Sequence, residues 1–238
     1  LRPPEGTDDV RAVIMGGTSG IGLAIATRLT KAGLTVTVTG RAPERLAAAR
    51  EQVAAAERLD GTDEDDVRAF FQRLGPFEHL ALAFGPAATG FGAVKSLGTE
   101  RLRAVVEPKL YGYLTAIRHA QVTGSVTLLS AGSARVARPG TVALAAVNGG
   151  LEAAVRPLAV ELAPVRVNAV SPGVIDTSWW AGLTEEQRAA QFAAVAEATP
   201  VGRVGRPDDV ARAVEYLVHA DFVTGTVLPV DGGLTLPR

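Results

Sequence analysis

Gly16-Gly17-Thr18-Ser19-Gly20-Ile21-Gly22 follows the apolar run Val10 to Met15 (VRAVIM) and opens an amphipathic stretch from Ile21 to Ala32. The run reads as a buried strand and the stretch as a helix, so the glycines fall in a strand-to-helix turn. Gly16 can make the tight turn, Gly20 allows close backbone approach to a pyrophosphate, and Gly22 lets the helix pack on the sheet. The helix N-terminus adds free N–H groups and the positive end of a dipole, both suited to phosphate. A dinucleotide cofactor is the reading. A glycine-rich turn without a ligand is the alternative, and the strand before and helix after count against it.

The same alternation continues outward from this turn. Leu34 to Thr39, His79 to Phe84, Ser125 to Ser130, Val165 to Val170 and Thr224 to Val230 read as strands. Pro43 to Arg58, Thr62 to Leu74, Thr99 to Ala120 and Ala143 to Leu162 read as helices, with Pro157 expected to kink or break the last. Acidic residues open the Thr62 helix, where they suit the dipole. Strands alternating with helices imply βαβ crossovers and a doubly wound parallel sheet covered on both faces, an α/β fold. No repeat or linker is visible, so residues 1–238 read as a single domain. The segment Thr177 to Gly205 interrupts the rhythm and is the candidate substrate loop or lid.

Composition narrows the function. Hydrophobic residues make up 47% of the 238 residues and aromatics only 5%, so alanine, valine and leucine must build the core. With 24 basic against 25 acidic side chains, the net charge of −1 lacks the electrostatic footprint of a nucleic-acid binder. No apolar run approaches the roughly 18 residues of a membrane helix. Zero cysteines exclude disulfides, thiolate metal sites and a cysteine nucleophile, and fit a cytoplasmic protein. The opening LRPPEGTDD has no apolar signal core. With histidine only at 79, 119 and 219, no dedicated metal site is expected.

A site that prefers NAD usually has a carboxylate roughly 20 residues beyond the glycines, bonded to the ribose 2′-hydroxyl. Gly40 stands there instead, followed by Arg41, whose forked donors suit a 2′-phosphate. NADP(H) is therefore the expected cofactor; a solvated surface arginine is the alternative.

Gly16-x-x-x-Gly20-x-Gly22, Leu59-Asp60, Val167-Asn168-Ala169-Val170-Ser171-Pro172-Gly173, Thr224-Gly225 and Val230-Asp231-Gly232-Gly233 occur in that order. Together they resemble the short-chain dehydrogenase/reductase family from Val10 to Gly233. The resemblance implies a Rossmann fold and an oxidoreductase. It implies cofactor contacts from Gly16, Thr18, Ser19, Gly20, Ile21, Gly22, Arg41, Leu59 and Asp60 (the latter pair at the adenine). It adds Ala83, Phe84 and Gly85 from the fourth strand, and Pro172, Gly173, Ile175 and Thr177 at the nicotinamide end. It also implies a homodimer or homotetramer built on paired helices.

The family works with Asn, Ser, Tyr and Lys, and here those positions have changed. Leu144 stands where the tyrosine belongs, Asn148 at the lysine, Lys109 at the asparagine, and Ala131 at the serine, with Ser130 and Ser133 close by. Leu144 cannot move a proton, so the family's usual acid is absent. Lys109 and Asn148 are brought toward one site by family geometry, as if ammonium and carboxamide had exchanged places. Lys109, Ser130 and Asn148 are therefore the candidate catalytic residues. A partly buried Lys109 with a lowered pKa can act as acid or hold an oxyanion; the alternative is that it binds the cofactor ribose or a helix C-terminus while Asn148 fills space.

Tyr113, four residues after Lys109 and so on the same helix face, reads as packing; Tyr111 points elsewhere and Tyr216 lies near the C-terminus. Trp179 and Trp180 divide between lining a pocket, which favours an apolar or aromatic small-molecule substrate, and packing. Arg101, Arg118, Glu152 and Arg156 read as solvated or intersubunit surface. The expected function is an NADP(H)-dependent oxidoreductase with a non-standard proton donor. Alternatives are a cofactor-binding sensor or assembly partner without turnover, and a non-redox enzyme on the same fold.

Overall fold

A computed structural model describes residues 10–85 and 90–236; the reading of the opening nine residues lies outside it. The order is β1 (Arg11–Met15), α1 (Gly20–Lys31), β2 (Thr35–Gly40), α2 (Pro43–Arg50), β3 (Ala55–Arg58), α3 (Glu64–Leu74) and β4 (Phe77–Leu82). Then come α4 (Thr99–Val106), α5 (Gly112–His119), β5 (Val122–Leu129), α6 (Val142–Glu161), β6 (Arg166–Pro172), α7 (Glu185–Ala198), α8 (Pro207–His219) and β7 (Val227–Val230). All seven strands pair in parallel in the order β3-β2-β1-β4-β5-β6-β7. The doubly wound sheet is as expected, with its order reversing between β1 and β4. Ligands of such sheets bind beyond the strand C-termini at that reversal.

Successive side chains of β1 point to opposite faces, so Ala12 and Ile14 enter one core while Val13 and Met15 enter the other. The first core is closed by Ile25 and Leu29 of α1 and by Val210, Val214 and Leu217 of α8. Arg28 fastens those helices, donating to Glu215 at 2.5 Å and Asp208 at 2.9 Å. The second core holds Phe70 and Phe71 of α3, Tyr113 of α5 and Leu151 and Val155 of α6. Fully burying each such large side chain contributes about 1.5–3 kcal/mol.

Three expectations need correction. Pro43 to Arg58 is not one helix: α2 stops at Arg50, and residues 55–58 form β3. The alanines there favour helix locally, but pairing Thr37 with Ala55 and Thr39 with Glu57 satisfies the backbone of both strands. Thr99 to Ala120 is interrupted by a π-helical turn at Glu107–Tyr111. Pro108 lacks the N–H that would continue the α pattern and its ring crowds the preceding turn, and a wider turn accommodates both. Pro157, by contrast, does not break α6, which runs on to Glu161; it lies in an exposed stretch near the end, where few backbone bonds depend on it. The segment 177–205 contains α7, which Thr184 and Gln187 cap reciprocally. No helix among the described residues is long and apolar enough to cross a membrane.

Candidate active site

The glycine turn is shaped by contacts no side chain could share. A Cβ on Gly22 would lie 2.1 Å from the Gly16 carbonyl oxygen. Gly16 has φ +80°, and a Cβ there would sit 2.8 Å from the Phe84 backbone nitrogen. The turn is thus pressed between the start of α1 and the end of β4. The N-cap Ser19 makes no side-chain capping bond, so the first N–H groups of α1 remain free for an anion. Thr177, from the segment after β6, lies beside Gly20, with side-chain carbons 3.5 Å from where a Cβ would be. Gly16, Gly20, Gly22, Ala83, Phe84 and Thr177 therefore converge at the reversal of the sheet.

Not every expected cofactor residue presents its side chain. The Phe84 ring turns inward and packs on Tyr113 at 4.8 Å between centroids. Leu59 and Ile175 are buried in the two cores, leaving their backbones as contacts. The Ile175 carbonyl already accepts from the Trp180 indole at 3.0 Å. Gly173 lies against Asp231: a Cβ would come 2.8 Å from its Cα.

At the outer end, a Cβ on Gly40 would meet the Thr18 side chain at 2.7 Å, so a carboxylate at 40 would displace Thr18. The Arg41 side chain is 69% exposed and stands 3.9 Å from Asp60, itself 33% exposed. Burial works to raise the Asp60 pKa, yet hydrogen bonds from Thr62 and the charges of Arg41 and Arg58 hold it below the ordinary value. An exposed guanidinium, only loosely paired with Asp60, beside a position too crowded for a carboxylate suits a phosphate.

Lys109 sits in the π turn and its stem runs past Gly85. Its ammonium donates to Asn148 Oδ1 at 2.7 Å and to the Ser130 carbonyl at 3.2 Å. Burial lowers its pKa from 10.5 to about 8. Asn148 is buried in α6 and donates through Nδ2 to the Leu144 carbonyl at 2.9 Å and to Ser133 Oγ at 3.0 Å. The predicted pair thus meets. Ser130 joins it only through its carbonyl: its hydroxyl turns away, donating to Glu152 at 2.8 Å. Leu144 fills its place with apolar atoms, packed close enough that a Cβ on Gly90 would lie 2.6 Å from Leu144 Cδ2.

Glu152 corrects the surface expectation, since only Arg101, Arg118 and Arg156 of that group are exposed. Its carboxylate, largely buried, accepts from Ser130, from Ser171 at 2.7 Å and from Arg135 at 3.0 Å. The i, i+4 spacing from Asn148 placed both on one face of a helix and was the available signal. Ser133 carried no comparable signal. Tyr113 is fully buried, donates to the Phe84 carbonyl at 2.9 Å, and has its pKa driven well up by burial; it packs in the core. Trp179 meets Phe91 at 5.8 Å, Trp180 meets Trp179 at 4.6 Å and Phe192 at 6.0 Å, all edge to face. The segments after β4 and β6 thereby touch through aromatic rings.

A family model described as enoyl-(acyl carrier protein) reductase matches residues 16–235. The short-chain dehydrogenase/reductase ATR9 of Stachybotrys chlorohalonatus is 31% identical, over 94% of this chain and 96% of its own length. The cis-4-hydroxycyclohexanecarboxylate dehydrogenase of Sinomonas cyclohexanicum is 34% identical, over 94% and 96% respectively. Among solved structures, a small-chain dehydrogenase in complex with NADPH superposes with a TM-score of 0.83 at 32% identity, covering 97% of this chain and 100% of that one.

Proposed function

Because the chain belongs to the short-chain dehydrogenase/reductase family, we propose that it is an NADP(H)-dependent oxidoreductase in which Lys109 replaces the usual proton donor. The observation that carries this reading is the Lys109–Asn148 hydrogen bond at the strand C-termini beside the glycine turn. Gly16, Gly20, Gly22 and the open start of α1 fit a pyrophosphate, and Thr18, Arg41 and Asp60 fit an adenosine 2′-phosphate end. A nicotinamide cofactor, when bound, supplies hydride to a substrate carbon.

The work left to this chain is to hold the substrate oxygen and give it a proton. As the carbonyl electron pair moves onto oxygen, the Lys109 ammonium stabilises the growing charge. Two of its protons are committed to Asn148 and the Ser130 carbonyl, which fixes its direction. Its third proton passes to the oxygen, leaving a neutral amine that solvent recharges. A pKa of about 8 keeps the ammonium populated at neutral pH and weakly enough bound to its proton to release it. Phe91 and Trp179 support an apolar or aromatic substrate. Exposed Leu102, Tyr111 and Leu114 on α4, the π turn and α5 support self-association.

The test is NADPH oxidation over a panel of ketones, aldehydes and enones. Lys109→Met is expected to lower kcat by about 10²–10⁴-fold, and wild-type kcat to fall as pH rises through about 8. A second reading, cofactor binding without turnover, draws on Leu144 packed beside Gly90; NADPH that raises the thermal midpoint yet is never consumed across the panel would favour it instead.

A further inference from the structure

The three protons on the Lys109 nitrogen are not equivalent. Two have fixed acceptors, Asn148 Oδ1 at 2.7 Å and the Ser130 carbonyl at 3.2 Å. The Asn148 oxygen cannot turn away, because the amide nitrogen is committed to the Leu144 carbonyl at 2.9 Å, which only accepts, and to Ser133 Oγ at 3.0 Å. The two acceptors fix two corners of the tetrahedron around Nζ and the stem fixes a third, so one corner is left over. In the ammonium that corner holds a proton. In the neutral amine, whose two N–H groups satisfy the same two acceptors, it holds the lone pair. Loss of a proton therefore breaks no hydrogen bond and aims the lone pair in one direction.

The surroundings favour that form. Among the described residues no carboxylate offsets the Lys109 charge, and burial alone brings its pKa to about 8. Glu152, which shares Ser130 as a neighbour, is occupied by the Ser130 and Ser171 hydroxyls and by Arg135. The side chain is nonetheless open to small molecules. Lys109 is half-buried, and its stem passes 3.4 Å from where a Cβ of Gly85 would be, an exposed residue just beyond β4. An amine that keeps its hydrogen bonds when neutral, has no counter-charge and lies at an opening is an activated nucleophile.

We propose that Lys109 is a covalent capture site for small aldehydes, a reactivity that goes beyond the proton transfer described above and needs no cofactor. The lone pair adds to the aldehyde carbon, and the N–C bond forms as the C=O π electrons move to oxygen. The oxygen leaves as water, taking one proton from the nitrogen and one from solvent, and the C=N bond forms. Nothing is oxidised or reduced, and water reverses the step. The cationic imine keeps one N–H, which stays on Asn148 Oδ1, while the Ser130 carbonyl is released.

The experiment treats the apo protein with propanal and cyanoborohydride at about pH 7.5, just below where the amine titrates. The hydride of the reagent traps an imine as a stable secondary amine, and peptide mass locates it. Lys31 and Lys95, both exposed, are internal references, since the chain has no other lysine. In the folded protein Lys109 is expected to label about tenfold or more faster than either reference, and in urea at the same rate as both. The near-isosteric Asn148→Asp, its fold checked by circular dichroism, keeps an acceptor and adds the missing counter-charge. Its Lys109 should label about tenfold more slowly than in wild type. Native Lys109 that labels no faster than the references overturns the proposal. So does a preference that survives unfolding, or a folded Asn148→Asp that labels at the wild-type rate. If that variant does not fold, the wild-type comparison decides alone. Because labelling uses neither NADPH nor turnover, its failure overturns this proposal only and leaves the oxidoreductase reading to its own assay.

Discussion

Lys109 is held at a cost for which the proton transfer proposed above would account. A lysine whose folded pKa lies near 8 rather than 10.5 binds its proton less well in the native state than in the unfolded one. Below about pH 8 both states are protonated and the full penalty is present. Between 8 and 10.5 the native state has lost its proton while the unfolded state keeps it, so stability rises with pH. The span corresponds to on the order of 3 kcal/mol. Lys109→Met carries no such penalty, so in urea unfolding the wild type should gain stability relative to the variant as pH increases from 8 to 10. A difference that stays flat over that range would show that burial does not perturb this amine. Over the same interval catalysis should decline, so stability and activity move in opposite directions with pH. The lysine–asparagine exchange could be read from residue types at family positions. The direction of the Ser130 hydroxyl could not, because it depends on a buried carboxylate four residues past Asn148.

At the level of elements, the site is assembled where a helix departs from regularity and where three elements share one side chain. The π turn at 107–111 carries Lys109, and Pro108 within it gives a local reason for the wider turn. Proline in an otherwise helical stretch was visible in the sequence, but whether it breaks, kinks or widens a helix depends on what packs around it, as unbroken α6 at Pro157 demonstrates. The strand β3 was hidden for a related reason. Its Ala-Ala-Glu-Arg has no β-branched residue, and only the pairing offered by β2 makes it a strand. Glu152 joins α6 to the ends of β5 and β6 and to Arg135. Removing a largely buried carboxylate strands its partners in place, which typically costs 3–5 kcal/mol for a buried ion pair. Arg135 retains partial exposure here, so Glu152→Ala should cost about 2–3 kcal/mol in chemical denaturation. Glu152→Gln keeps an acceptor for both serines and should lose about 1 kcal/mol. Equal losses in the two variants would mean that the ion pair with Arg135, and not the serine hydroxyls, carries the clamp.

On the scale of the whole molecule, a balanced charge of −1 provides no general attraction for an anionic cofactor. Discrimination must come from placed groups at the end of β2. Gly40 leaves no room for a carboxylate over Thr18, and Arg41 offers an exposed guanidinium. A ligand that binds only the native state stabilises it by about 2.7 kcal/mol at a hundredfold excess over Kd. For a chain of this size each kcal/mol shifts Tm by about 2–4 °C. NADPH at that excess should therefore raise Tm by about 5–11 °C, and NADH at the same concentration by distinctly less. The gap should close in Arg41→Ala, through loss of the excess NADPH shift with the NADH shift unchanged. Because Arg41 is exposed, its pairing with a phosphate is screened, so the gap should also narrow between 50 and 500 mM salt. An equal shift from NADH and NADPH in the wild type would remove the 2′-phosphate from the recognition. The glycine turn would remain a pyrophosphate site, since its geometry depends on Gly16 and Gly22 and not on Arg41. The strand order leads to the same separation: it brings the pyrophosphate turn and the Lys109 site to the reversal between β1 and β4, and leaves Arg41 one strand outward on β2. On the proposed reading, cofactor choice and proton delivery are therefore independent devices on one sheet, and Arg41→Ala should leave the pH dependence expected from Lys109 unmoved.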